Sequence, residues 1–213
     1  EWTPRKNELL AAYDAAGMTL LIADTVMNQV RVIHPDGTTV ATILSAGGAP
    51  LVGPVDVAVD AAAGKAWVLV EQAKREDELA GAPIAAARFL HAFDLAGGYL
   101  ASYAARNEGS VAGLLTRAGG LAVSGGKLYA SDIFQGVVKV LDAGGAPVGT
   151  VGAFGQAAGQ LTNPMGLAVM GNGDLAVANS TLGKVDRFGT GVALPVCEGD
   201  TDCDGLSDAW EAA

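Results

Sequence analysis

The sequence predicts an all-β fold, a β-propeller of about four blades followed by a short calcium-binding loop. Three observations predict it. First, apolar runs of strand length alternate with clusters of Gly, Asn and Asp, and each run is too short for a helix. Residues 160–188 show the pattern most clearly: Pro164-Met165-Gly166-Leu167-Ala168-Val169, then Asp174-Leu175-Ala176-Val177-Ala178-Asn179, then Gly183-Lys184-Val185-Asp186-Arg187-Phe188. Second, the pattern recurs. Ala11 to Val57, Val57 to Leu121 and Leu121 to Leu167 are 46, 64 and 46 residues, and Asp24 to Val30, Asp132 to Val138 and Asn179 to Val185 are each six. One copy cannot bury both faces of its small sheet, whereas stacked copies can. Third, 30 glycines among 213 residues suit a chain of many tight turns.

In chain order, residues 1–7 are polar and read as a lead-in strand or arm. The first repeat takes residues 9–13, 19–24, 30–33 and 38–43, with Asp36-Gly37 as the hairpin turn between the last two. The second takes 55–60, 66–70, 89–93 and 99–103. Its long interval holds an insertion at residues 73–87 that opens with Lys74-Arg75-Glu76-Asp77-Glu78. A solvated loop or short helix is the plain reading of the insertion, and a contact arm is the alternative. The third repeat takes 119–123, 127–131, 137–141 and 148–151. The fourth is residues 160–188, with only 190–194 to serve as an outermost strand. The propeller is therefore assigned to residues 1–195 and the acidic segment to 196–213.

The runs Asn163-Pro164-Met165-Gly166-Leu167-Ala168-Val169 with Leu175–Asn179, and Gly119-Gly120-Leu121-Ala122-Val123 with Leu128-Tyr129-Ala130-Ser131-Asp132, resemble the NHL repeat. Leu21-Ile22-Ala23-Asp24, Asn28 and Val30-Arg31-Val32 are similar to it as well, over residues 9–188 in all. The second repeat departs most, with Glu71 at the place of the Asp. NHL propellers more often have five or six blades. Four implies either a small closed ring or an incomplete arc that another chain completes.

Asp24, Asp132 and Asn179 end equivalent strands. A short acid or amide there satisfies backbone N–H groups of the following turn more often than it serves a ligand.

The most specific chemistry lies at the end of the chain. Asp200, Asp202, Asp204, Asp208 and Glu211 fall at positions 1, 3, 5, 9 and 12 of a loop with Gly205 at position 6. The alternate carboxylates converge on one ion, and Gly205 permits the sharp turn. Leu206 offers its carbonyl, Asp208 reaches the ion directly or through water, and Glu211 closes the site with two oxygens. Calcium is the ion this oxygen set suits, at an expected affinity on the order of 10⁻⁴ to 10⁻³ M for an extracellular-type module. The loop is similar to thrombospondin type 3 and dockerin-like, EF-hand-like repeats. Cys197 and Cys203 flank its start. A disulfide is the preferred pairing over free thiols, and it implies an oxidising compartment.

Composition excludes several classes. The net charge is −10, with six acids and no base from Cys197 onward, which argues against a nucleic-acid partner. No apolar run is long enough for a membrane-spanning helix. The first residue is Glu1 rather than Met, so a processed mature form or an excised segment is expected, with any signal peptide removed and the natural chain running further.

Some NHL-like propellers are lyases or lactonases built on a central metal. This chain offers only His34 and His91, both near the third run of a blade and read as surface or packing residues. Trp2, Trp67 and Trp210 are read as core or interface aromatics. No catalytic constellation is found, so no catalytic residue is assigned. The favoured reading is a secreted, extracellular or cell-surface, non-catalytic propeller. It binds protein, other copies of itself or an extracellular filament, and calcium stabilises its C-terminal segment. The alternative is a metal-dependent lyase or lactonase-like hydrolase.

Overall fold

The computed structural model describes residues 10–14, 19–70, 88–105 and 115–189. The arm at 1–7, Glu71, the insertion at 73–87, the run at 190–194, Trp2, Trp210, all six expected calcium ligands and both cysteines lie outside the described residues.

Strands β1 (Leu10–Asp14), β2 (Thr19–Asp24), β3 (Gln29–Ile33) and β4 (Thr39–Ile43) form blade 1, an antiparallel meander in that order. A two-residue ladder, β5 (Ser45–Ala46) with β6 (Ala49–Pro50), leads to blade 2: β7 (Pro54–Asp60), β8 (Lys65–Val70), β9 (Arg88–Asp94) and β10 (Tyr99–Ala105). Blade 3 is β11 (Ala118–Ser124), β12 (Lys127–Asp132), β13 (Val137–Asp142) and β14 (Pro147–Val151). A short parallel pair, β15 (Ala153–Phe154) and β16 (Gln160–Leu161), then leads to blade 4. Its described strands are β17 (Pro164–Val169), β18 (Leu175–Asn179) and β19 (Lys184–Phe188). The strand limits agree with the repeat pattern to within two residues. The two short pairs are additions that the apolar pattern does not signal, because each spans only two residues per strand.

The innermost strands pack side by side in sequence order: β1 on β7, β7 on β11 and β11 on β17. Among the described residues β17 and β1 make no comparable contact.

The six-residue spacing has a direct cause. Ala23 pairs with Val30, Ser131 with Val138 and Ala178 with Val185, so blades 1, 3 and 4 join their second and third strands by the same four-residue turn. The last turn residue is left-handed in all three, at Asn28 (φ 54°), Gly136 (φ 63°) and Gly183 (φ 61°). Asn is among the few non-glycine residues that tolerate this conformation. Asn28 has a second use, since its Oδ1 accepts the Gly53 N–H at 2.8 Å and ties the turn to the entry of blade 2.

Burial follows position in the array. In blade 1, β2 alternates buried and half-buried residues, the period-2 signature of a sheet covered on one side. In blades 2 and 3, β8 and β12 are buried continuously after their first residue, the signature of a sheet covered on both sides. Blade 4 returns to alternation in β18. One apolar cluster runs through blades 1 to 3 around Trp67, Phe89, Phe93 and Leu69. A second joins blades 3 and 4 through Tyr129, Val138, Val140, Leu175 and Val177.

Each blade thus has a leading face, directed at the next blade, and a trailing face. Register places Leu21, Ala23, Val30 and Val32 on the leading face of blade 1, and Ala58, Trp67 and Ala92 on that of blade 2. All seven are buried. Backbone-to-backbone approach sets the spacing at the inner strands. A Cβ at Gly120 would stand 2.1 Å from the Met165 carbonyl oxygen of β17 and 3.0 Å from its carbon, so only glycine lets β11 and β17 meet.

Gly120→Ala is therefore expected to destabilise the chain by about 2 kcal/mol or more through overpacking against main chain. Gly149→Ala, where an added Cβ meets nothing within 4 Å, serves as the control and should change stability by no more than a few tenths. Urea unfolding of the two variants distinguishes them.

Candidate interaction surface

The acids and amides at the blade ends are committed to the backbone. Asp132 is fully buried at the end of β12; its Oδ1 accepts the N–H groups of Phe134 and Gln135 at 3.0 Å each, and its Oδ2 accepts that of Thr116 at 2.7 Å. Asn179, equally buried, accepts the Thr162 N–H at 3.0 Å and donates to Asp186 at 2.8 Å. Asp24 accepts the Met27 N–H at 3.0 Å and the Gln29 side-chain amide at 3.2 Å. Asp24 and Asp132 hold the following turn closed, as short polar side chains do after a strand, whereas Asn179 makes no side-chain bond to its turn and ties β18 to the segment before β17 and to β19.

The two histidines lie apart. His34 is exposed at the β3–β4 turn, whereas His91 is buried in β9 with Nδ1 2.8 Å from the Ser102 Oγ. Trp67 is a packing residue, its ring 5.6 Å from that of Tyr103. Among the described residues no three His, Cys, Asp or Glu side chains gather as a metal would require.

Asp56 is the polar residue that the sequence reading missed. It occupies, on β7, the position that Gly120 has on β11 and Gly166 has on β17. The register of each inner strand shifts there. The side chain spans two blades: Oδ1 accepts the Val57 N–H at 2.8 Å, and Oδ2 accepts the Leu121 N–H of blade 3 at 2.7 Å. Burial outweighs these bonds and pushes its pKa from 3.8 up to about 6. The signal in the sequence was an acid inside an apolar run, Pro54-Val55-Asp56-Val57-Ala58-Val59, at a place where the third and fourth repeats carry glycine and the first carries Leu10. Two hydroxyls make similar joints between blades: Thr25 donates to the Pro54 carbonyl at 2.6 Å and Ser131 to the Met165 carbonyl at 2.9 Å.

The two end faces of the described array differ in relief. On the leading face of blade 4, register aligns Ala168 with Ala176 and Arg187, and Ala178 with Val185. Gly166 lies beside Ala178. Gly166 and Ala168 are exposed, Ala176 and Ala178 half-buried, and Val185 is 68% exposed. Arg187 is anchored over this face by its Nε bond to the buried Asp174 at 2.6 Å. At the other end, the trailing face of blade 1 presents Leu20, Ile22 and Ile33, all half-buried. None of the described helical segments is long and apolar enough to cross a membrane.

No family model matches the chain, and no curated protein matches it. Solved structures do. Hydrazine synthase of Kuenenia stuttgartiensis superposes with a TM-score of 0.60 at 15% identity, over 87% of this chain and 47% of that one. An inactive form of virginiamycin B lyase from Staphylococcus aureus, with quinupristin, gives 0.60 at 11%, over 91% and 56%. The computationally designed Ika4 protein gives 0.55 at 10%, over 88% and 94%. At these identities the likeness shows the fold alone, a β-propeller scaffold. The chain spans about half the length of the two natural structures.

The raised pKa of Asp56 predicts a pH effect with a definite sign. Below pH 3.8 the carboxyl is neutral whether the chain is folded or unfolded; between there and about pH 6 the folded state binds more protons, so this group's contribution falls as pH rises. The loss across that window is about 3 kcal/mol. Asp56→Asn should lower stability near pH 4 and should flatten the slope between pH 4 and 6. Denaturant midpoints measured at several pH values for both proteins test this.

Proposed function

We propose that the chain is a secreted, non-catalytic β-propeller that acts as a protein-interaction or structural module of an extracellular or cell-surface assembly. The observation that carries this reading is the division of labour among side chains. Asp24, Asp56, Asp132 and Asn179 are occupied in holding turns and blade contacts. Exposed apolar side chains stand at turns and outer edges along the array, Met27, Phe134 and Phe154 among them, and Val185 stands on the leading face of blade 4 beside Gly166 and Ala168; exposed apolar surface is what a contact site offers. The sequence likeness to NHL repeats agrees with an interaction role.

A photo-cross-linking amino acid placed at Val185 tests the reading in the native assembly. Adducts to protein, either another copy or a different chain, support it. Adducts confined to small molecules contradict it, as does metal-dependent turnover of lactone or cyclic-ester substrates by the purified chain.

The acidic segment supports the second part of the proposal, one calcium ion held by Asp200, Asp202, Asp204, Leu206, Asp208 and Glu211, with Cys197 and Cys203 joined as a disulfide in an oxidising compartment. Clustered carboxylates repel one another unless a cation compensates them. At 10 mM calcium and a dissociation constant on the order of 10⁻³ M, binding linked to order in this segment contributes about 1 kcal/mol. Calorimetric titration should show one ion per chain, weakened at least tenfold in Glu211→Gln. Absence of binding at millimolar calcium would remove this part of the proposal.

A further inference from the structure

We infer that the leading face of blade 4 is a docking face for the trailing face of blade 1 in a second copy of this chain, so that two arcs close one ring. The inference deepens the interaction-module reading above and rests on it.

The first argument is Gly166. Its equivalent on blade 3, Gly120, is obligatory because the next inner strand lies against it, with the Met165 carbonyl oxygen 2.1 Å from where a Cβ would stand. Its equivalent on blade 2, Asp56, reaches across to the next inner strand and bonds the Leu121 N–H. On blades 2 and 3 this position is thus engaged by the backbone of the following blade, whereas blade 1 carries Leu10 there. Among the described residues the only atom within 4 Å of an added Cβ at Gly166 is the Ala178 Cβ at 3.9 Å. Nothing among the described residues requires the glycine, and an inner strand packed against it would.

The second argument is continuity. Gly166, Ala168, Ala178 and Val185 sit where blade 3 has Gly120, Ala122, Ser131 and Val138. In blade 3 Ala122, Ser131 and Val138 are buried beneath blade 4, whereas in blade 4 Ala168 and Val185 are exposed. The same surface is therefore an interface once and solvent-facing once.

The third argument is fit. The blade 4 face is low along its inner two strands, built of Gly166, Ala168, Ala176 and Ala178 with Val185 and Arg187 farther out, and the blade 1 trailing face is higher, with Leu20, Ile22 and Ile33 beside Arg31. Small residues facing large ones interdigitate, as they do where Ala122 of blade 3 meets the cluster with Leu175 and Val177. The pairing is head-to-tail, and repeated twice under a two-fold axis it closes with no free face. Two such arcs would bring eight blades together, and one arc covers 47% and 56% of the two natural chains it superposes on.

Light scattering on the eluted 213-residue chain and on Gly166→Val tests the inference. The wild-type chain should have twice the 21.3 kDa mass of one copy, and Gly166→Val should have the mass of one. The added side chain has room within a single copy, so the variant should keep its strand content and cooperative unfolding. A wild-type mass of one copy at every concentration overturns the inference, as do open polymers and a Gly166→Val dimer. Either of the first two results leaves the interaction-module reading standing if Val185 still cross-links to a different protein; failure of that cross-link as well removes both.

Discussion

The structure depends on covering small sheets on both sides. A three- or four-stranded antiparallel sheet with apolar residues on one face can be stable only against another layer, and one that is apolar on both faces needs two. Blades 2 and 3 have two apolar faces and find two neighbours. The contact is tightest at the inner strands, where a peptide carbonyl of β17 occupies the space that any side chain at residue 120 would need. The blades are therefore held together by close main-chain approach near the centre of the array and by large apolar side chains, Trp67, Phe89 and Phe93 among them, farther out.

This arrangement explains where the polar residues sit. Buried carboxylates and amides are costly unless hydrogen-bonded. Asp132 meets that cost at the turn after β12, Asn179 through Thr162 and Asp186, and Asp56 across a blade boundary. Asp56 is the least comfortable of them, held among apolar groups with two backbone donors and a raised pKa. It is where the array couples its cohesion to pH.

The blades were legible because period-2 alternation and turn chemistry are local, and both recur at fixed spacing. The turn after each second strand was legible for the same reason: Asp24, Asp132 and Asn179 each begin a six-residue step. What was not legible depends on neighbours distant in sequence. Asp56 looks like an interruption in an apolar strand until β11 is placed beside it, 65 residues later. The difference between Gly120 and Gly166 is invisible in the residue type and appears only once β17 is placed against Gly120. The short β15–β16 pair escaped because Ala153-Phe154 and Gln160-Leu161 carry too few residues to show a period.

Cooperation between neighbours is the account's central claim, and hydrogen exchange resolved strand by strand tests it most directly. In dilute solution the amides of β8 and β12 should exchange slowest and together, since both faces of their blades are covered, and those of β18 and β19 should exchange earlier. Exchange that is equally slow in β18 and β12, or slower in β18, would contradict the claim that protection comes from the blade on either side.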